Sequence, residues 1–151
     1  MAFIYDAKIT VRSVIDNLDE AGLVVGESEI SINTYEGFLR CEARESGDLL
    51  TISYSERVED GDRVYTDMVL DGGALTLTRR GACEYDIRFA EGERYEGIYA
   101  VPPYKFDMTV LTKRLRNDLT RAGGEVRINY NMAVGGADKS CRMHIKLEVK
   151  K

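Results

Sequence analysis

The stretch LTLTRRG, residues 75–81, places an arginine on the apolar face of a predicted strand. Because side chains alternate along a strand, Leu75, Leu77 and Arg79 share one face. A cation buried among leucines is costly unless it is paired and hydrogen-bonded. Arg79 therefore predicts a cluster of polar side chains inside the fold.

The turn that precedes this strand predicts which side chain faces Arg79. The segment DGGA suits a two-residue hairpin loop made of Gly72-Gly73. Such a loop pairs Leu70 with Leu75 and, further from the turn, Thr66 with Arg79. The apolar residues of both strands then lie on the same side of the sheet.

The next turn back along the chain, VEDGD at residues 58–62, allows two registers. A two-residue loop would place Tyr54 opposite Asp67, so that an apolar face would meet a polar one. A three-residue loop that ends in Gly61 places Tyr54 opposite Thr66 and keeps the apolar faces together. We expect the second register, with Gly61 in the left-handed position of a bulged turn.

These registers align Tyr54, Thr66 and Arg79 in one row of a three-stranded sheet, with Glu56 next along. Two further tyrosines join the same predicted interior. Pairing across FAEGE, residues 89–93, places Ile87 opposite Tyr95 and Cys83 opposite Tyr99, and Tyr130 lies on the apolar face of VRINYNMAV. The candidate ligand-binding residues in the interior are Tyr54, Glu56, Thr66, Arg79, Tyr99 and Tyr130. The alternatives are a rim ion pair of Glu56 with Arg79, or a structural network without a ligand.

The elements that must position this cluster are all predicted to be β-strands. Short alternating runs are separated by most of the fourteen glycines, which is typical of an antiparallel chain. Neighbouring predicted strands can fuse into longer ones. The predicted strands lie near 5–15, 23–33, 37–43, 49–57, 63–71, 74–80, 83–89, 94–101, 104–112, 114–120, 125–134 and 141–149. One apolar face per strand favours closure around a single core, so an antiparallel up-and-down β-barrel is predicted.

Two parts of this assignment remain open. The segment 111–121 reads as strand or helix, because Leu111, Leu115 and Leu119 also fit helical spacing. The pairing of the first 45 residues is not determined by any turn signal. Neither ambiguity changes the expected fold class.

Length, charge and cysteine usage restrict the class of protein. The 151 residues, 1–151, suit one domain, and a net charge of −5 without a basic block argues against nucleic acid as a partner. No segment is apolar and long enough for a membrane span or a signal peptide, so a cytoplasmic protein with no membrane partner is expected. Cys83 and Cys141 lie in the apolar phase of their strands and are expected to be buried, reduced thiols. No disulfide, metal site or cofactor is predicted.

Motifs for catalysis are absent from the sequence. His144 is the only histidine and shares a polar face with Arg142 and Lys146, so a Ser-His-Asp or Cys-His arrangement is not expected. There is no phosphate-binding loop, dinucleotide fingerprint or nucleophile elbow. We therefore expect a non-enzymatic protein.

The cluster residues also carry a family resemblance. Y-x-E in TISYSE, the threonine of VYTDMVL, R-x-G in LTRRG, the tyrosine of IYAVPPYKF and the segment INYNMAVGG resemble the YwiB-like proteins. This is a bacterial family of unknown function with a calycin-like or lipocalin-like barrel, and the similarity runs from about Leu49 to the C-terminus. The resemblance implies a barrel of eight to ten strands around a cavity. It also implies that the family's recurrent positions here are Tyr54, Glu56, Thr66, Arg79 and Gly81. The chain departs from the family at VPPY, residues 101–104.

Three functions are compatible with these observations. The first is binding of a small, mostly apolar ligand inside the barrel, with its polar or anionic group near Arg79. The second is a protein-interaction or scaffold module with a filled barrel. The third is a hydrolase or isomerase that uses Glu56 as base and Arg79 as electrophile. The oligomeric state is left open.

Overall fold

The computed structural model describes residues 2–58 and 61–150, and within them every regular element is a β-strand. Ten antiparallel strands follow one another along the chain. They are β1 (Ala2–Leu18), β2 (Val24–Glu42), β3 (Leu49–Arg57), β4 (Arg63–Asp71), β5 (Ala74–Gly81), β6 (Tyr85–Ala90), β7 (Arg94–Val101), β8 (Tyr104–Asn117), β9 (Gly123–Val134) and β10 (Ala137–Val149).

The strands form one sheet in the order β6-β5-β4-β3-β2-β1-β10-β9-β8-β7. Every strand except at the junction of β6 and β7 therefore pairs with the next strand in sequence. The first strand also pairs with the last, from Ala7 opposite Val149 to Asn17 opposite Lys139. The sheet curls into a nearly closed barrel. The predicted all-β, up-and-down barrel is confirmed, and its strand number lies within the range that the resemblance implied.

The barrel has one seam, between β6 and β7 in the middle of the chain. Only a single described bridge spans the seam: Glu84, the residue before β6, and Ala100 on β7 exchange backbone hydrogen bonds of 2.8 and 2.9 Å. The predicted pairing of Ile87 with Tyr95 and of Cys83 with Tyr99 is therefore wrong.

The cause of this difference lies in the turn between the two strands. Ala90 accepts a hydrogen bond from Glu93 N, and Gly92 N donates to the carbonyl of Thr112 on β8. These bonds direct the chain toward β8 instead of back along β6. The observed bridge corresponds to a shift of two residues, which preserves the inward face of each strand.

The registers around Arg79 are confirmed. Tyr54 pairs with Thr66 across β3 and β4, and Thr66 pairs with Arg79 across β4 and β5. The turns use left-handed glycines as expected, with φ of 78° at Gly61 and 61° at Gly72. Two residues of the first turn, Glu59 and Asp60, lie outside the described residues.

Several predicted strands fuse into longer ones. The runs 23–33 and 37–43 form one strand, β2, and the ambiguous segment after residue 111 continues β8 as strand to Asn117. A bulge between Thr112 and Arg114 changes the inward phase of β8. Leu111 is consequently exposed while Leu115 packs against the core, which explains the helix-like spacing of the leucines.

The VPPY segment forms the β7–β8 hairpin. Val101 pairs with Tyr104, and the two-residue loop contains a cis peptide bond between Pro102 and Pro103. The departure from the family pattern therefore leaves the pairing of these strands intact.

The interior of the barrel is the hydrophobic core. Its fully covered side chains include Ile9, Leu39, Ile52, Phe89 and Ile128. Cys141 is buried, as predicted, and so is Cys41. The prediction for Cys83 is wrong, because Cys83 lies in the bend before β6 and is only half-buried.

Strands β1 and β2 are much longer than β3, the strand that follows β2 in the sheet. Strand β2 pairs with β1 almost along its whole length, from Val24 to Glu42. Its pairing with β3 is limited to Gly37–Glu42. Residues 24–36 therefore have no described strand on the side away from β1, and we call this stretch the free edge of β2.

Candidate functional site

Arg79 is held at the inner wall of the barrel by two side chains, Glu56 and Tyr85, and a third side chain, Tyr35, holds Glu56. Its Nη2 atom donates to Glu56 Oε1 and forms a salt bridge with that carboxylate. Its Nη1 atom donates to Tyr85 Oη at 3.3 Å. Tyr35 Oη donates to the second carboxylate oxygen, Glu56 Oε2, at 2.7 Å. We call Tyr35, Glu56, Arg79 and Tyr85 the Arg79 network.

The Arg79 network is neither fully buried nor at a wet rim. The side chains of Glu56 and Arg79 are each 24% exposed. Arg79 Nε is covered and has no hydrogen-bond partner among the described residues. The ion pair therefore lies in a partly dehydrated environment, where its loss is more costly than that of a surface pair.

Two stacked tyrosine pairs flank the ion pair. The rings of Tyr35 and Tyr54 stack with centroids 4.3 Å apart, and those of Tyr85 and Tyr99 stack at 4.9 Å. The Arg79 guanidinium carbon lies 5.8 Å from the centre of the Tyr85 ring, within the range of a cation–π contact. The aromatic rings thus form walls on both sides of the charged groups.

Local sequence explains how these side chains reach one place. Arg79 pairs with Tyr85 across the β5–β6 hairpin. Gly81 follows Arg79 by two residues with a φ of 116°, and an added Cβ would lie 2.1 Å from the carbonyl oxygen of Arg63. Only glycine fits there without displacing the backbone of β4. The R-x-G pattern therefore combines an inward cation with a close contact between strands.

The Arg79 network borders a cavity of about 530 Å³ inside the barrel. Most of the lining is aliphatic, aromatic or thioether in character. It includes Leu77, Ile87, Met108, Tyr130, Met132 and Met143. At one margin the lining becomes polar, with Ser13, Ser31, Asn33 and Lys139. The cavity therefore combines an apolar interior with two polar regions.

Burial keeps the tyrosine hydroxyls protonated. It raises the pKa of Tyr54 to about 12. Burial also raises the pKa of Tyr85, Tyr99 and Tyr130 above the usual value. The pKa of Tyr35 is raised by burial and by its hydrogen bond to Glu56. At neutral pH the phenols of Tyr54, Tyr85, Tyr99 and Tyr130 can donate hydrogen bonds to an acceptor in the cavity, whereas Tyr35 already donates to Glu56.

Five of the six candidate residues border the cavity: Tyr54, Glu56, Arg79, Tyr99 and Tyr130. Of these, Tyr130 lies beside Phe89, with ring centroids 4.9 Å apart. Thr66 occupies the predicted row, but it is 1% exposed and does not border the cavity. Its hydroxyl has no hydrogen-bond partner among the described residues, so Thr66 is part of the wall behind the site.

Two members of the Arg79 network, Tyr35 and Tyr85, are absent from the candidate set. Extending the inward phase of Leu39 back through Gly37 along β2 would have identified Tyr35. Tyr85 is in phase with Ile87, but the five residues between Tyr85 and its paired residue Arg79 carry no simple turn signal. His144 lies on the outer face and contacts Glu125, with Nε2 and Oε1 3.4 Å apart.

The described residues bring together no group of three or more histidine, cysteine or acidic side chains that could hold a metal ion. No helix in the described ranges, 2–58 and 61–150, is long and apolar enough to cross a membrane.

The chain is similar to known proteins both in sequence and in fold. Residues 24–147 match the model of a family described as a domain of unknown function, DUF1934. The fold is similar to the crystal structure of the ywiB protein from Bacillus subtilis, with a TM-score of 0.80 and 24% identity. The similarity covers 98% of this chain and 94% of the other, which confirms the predicted resemblance. A search of curated proteins finds no match.

Proposed function

Since the chain belongs to the DUF1934 family, we propose that its barrel binds one small, mostly apolar ligand whose polar or anionic group contacts the tyrosines and Arg79. This use of a barrel interior is the one found in lipocalins. The observation that carries the proposal is the cavity of about 530 Å³, bordered by the only ion pair in the barrel interior among the described residues. Ligand sites commonly have volumes of about 300–1,000 Å³ and an apolar lining with few polar groups.

The lining suggests how such a ligand would be oriented. Its apolar part would lie against Met108, Met132 and Met143, whose flexible thioethers adapt to different shapes. Its polar group would accept a hydrogen bond from Tyr99, whose hydroxyl has no described side-chain partner. Arg79 supplies positive charge nearby, although Glu56 balances that charge in the absence of ligand.

The network supports ligand binding better than catalysis. A general base needs a carboxylate oxygen that is free to accept a proton from a substrate. Both oxygens of Glu56 already accept hydrogen bonds, from Arg79 and from Tyr35. The cavity likewise supports ligand binding over a scaffold with a filled barrel.

We place this activity in the bacterial cytoplasm, with neither nucleic acid nor a membrane as partner. The three cysteines are free, as is typical of a reducing compartment. The net charge of −5 disfavours binding to polyanions.

Titration calorimetry with decanoic acid, dodecanoic acid and indole-3-acetic acid tests the proposal. We expect one-to-one binding of at least one of these probes. Met132→Trp fills the cavity and should weaken that binding by about tenfold or more, a change of about 1.4 kcal/mol. Ile98→Trp, on an exposed position of β7, is the matched control and should leave binding unchanged.

Two results would refute the proposal. One is the absence of saturable binding for all three acids. The other is binding that survives Met132→Trp in a variant whose thermal melt shows a folded protein, because the probe would then occupy another place.

A further inference from the structure

The free edge of β2, residues 24–36, is unusually long for an unpaired strand edge. Every residue from Val24 to Thr34 is exposed. Strands in globular proteins have about five or six residues, and exposed edges are normally short because their backbone groups can pair with another chain. This edge therefore offers an extended set of backbone donors and acceptors.

The side chains of this edge show an inverted pattern of polarity. Odd-numbered residues such as Ser31 and Asn33 point inward and border the cavity. The even-numbered Ile30 and Ile32 point outward and are 60% and 62% exposed. An apolar outer face on an unpaired strand is typical of a surface that becomes covered.

We propose that the free edge of β2 pairs antiparallel with the same edge of a second copy of this chain, about a two-fold axis at Ser31. In this register Ile30 of one copy faces Ile32 of the other, so that the outward apolar side chains cover one another. Glu29 faces Asn33, and Ser31 faces itself. Such an isologous contact would join the two barrels through one continuous sheet.

Charge disfavours an axis at residue 27, 28 or 29, and apolar cover disfavours an axis at Ile30 or Ile32, which leaves one isoleucine opposite a serine or a threonine. Two opposed residues in an antiparallel pair lie on the same face of the sheet, whereas successive residues of one strand lie on opposite faces. The two-fold axis must therefore pass between the two copies of one residue. An axis at Ser28 would oppose Glu27 with Glu29, and like charges opposite each other are destabilising. The axis at Ser31 opposes no two glutamates. The glutamates of the edge thus disfavour the registers centred at residues 27–29, and the two isoleucines select the axis at Ser31 among the rest.

Sedimentation equilibrium across the micromolar range tests the proposal. The wild type should show a dimer with twice the 17.0 kDa mass of one chain. The double variant Ile30→Lys/Ile32→Lys opposes lysine with lysine and should be a monomer. The matched variant Ile30→Lys/Ile32→Glu opposes lysine with glutamate at both positions and should remain a dimer.

A cysteine at the axis gives an independent measurement. Opposed residues of an antiparallel pair have Cα atoms about 4.5–5.5 Å apart, within the range of a disulfide. In a Cys83→Ser background, Ser31→Cys should form a cross-linked dimer under mild oxidation. Asn33→Cys should not, since it faces Glu29.

Three outcomes would overturn the proposal. They are a monomeric wild type throughout the range, a dimer that survives Ile30→Lys/Ile32→Lys, and cross-linking of Asn33→Cys as efficient as that of Ser31→Cys. Both edge variants change only exposed side chains, and circular dichroism melts would verify that they fold.

Discussion

Removal of the Arg79 side chain should destabilise the barrel by about 2–3 kcal/mol. Breaking a fully buried ion pair costs about 3–5 kcal/mol, because a charge is left without a partner, whereas an exposed pair contributes about 1 kcal/mol or less. Glu56 and Arg79 are each 24% exposed, so the expected cost lies nearer the buried limit. The remaining hydrogen bond from Tyr35 to Glu56 offsets part of the loss.

The double variant Glu56→Leu/Arg79→Met separates this cause from simple loss of packing. If an unpaired carboxylate is responsible, the double variant should recover most of the stability that Arg79→Ala loses. Urea denaturation of the wild type, Glu56→Leu, Arg79→Ala and the double variant gives the free energies of unfolding. Comparable slopes with denaturant show that the same surface is exposed in each case.

The reasoning would be refuted if Arg79→Ala changed stability by less than about 1 kcal/mol, the cost expected for an exposed pair. It would also be refuted if the double variant were less stable than either single variant. The first result would mean that the network is hydrated, and the second that side-chain shape outweighs charge.

Three further outcomes are expected. The pKa of Tyr54 in the folded protein is about 12, above that of an exposed tyrosine. As pH rises, Tyr54 therefore ionises first in the unfolded chain. The stability that is present below about pH 10 is then lost as the pH rises toward 12. Urea titrations at high pH should show a smaller loss for Tyr54→Phe, by up to about 1.4 kcal/mol per pH unit. A thiol reagent should label Cys83 well before the two buried cysteines, and Cys83→Ser should remove this fast phase. Gly81→Ala should cost about 1–3 kcal/mol in chemical denaturation, whereas Gly73→Ala, whose Cβ meets no atom within 4 Å, should be nearly neutral.

The fold was predictable from the sequence in those segments where the turn residues and the alternation of apolar and polar residues indicate the same register. Between Leu49 and Asp71 the strand limits and register follow from Gly61 and from the apolar phase of β3 and β4. The same reasoning failed at Gly92, because a hydrogen bond to Thr112 on a distant strand determines the path of the chain. Local signals carry no information about such a partner.

The candidate site was predictable in part for the same reason. Tyr54, Glu56 and Arg79 lie on strands whose register is fixed by short turns. No short turn specifies the register at Tyr35 or at Tyr85. Tyr35 lies on β2, far from the turn after β1, and five residues separate Tyr85 from its paired residue Arg79. The cavity itself depends on how the whole sheet curls, which depends on all ten strands together.

The pairing of β1 with β10 has a consequence for how the protein is made. On the ribosome the first strand emerges long before the last, so the barrel cannot close until synthesis reaches Ala137–Val149. Until then, one edge of β1 has no partner and the interior side chains Ile9 and Val11 stay accessible. Because such long-range pairing is slow to form, nascent or C-terminally truncated chains should be substrates for chaperones and prone to aggregation.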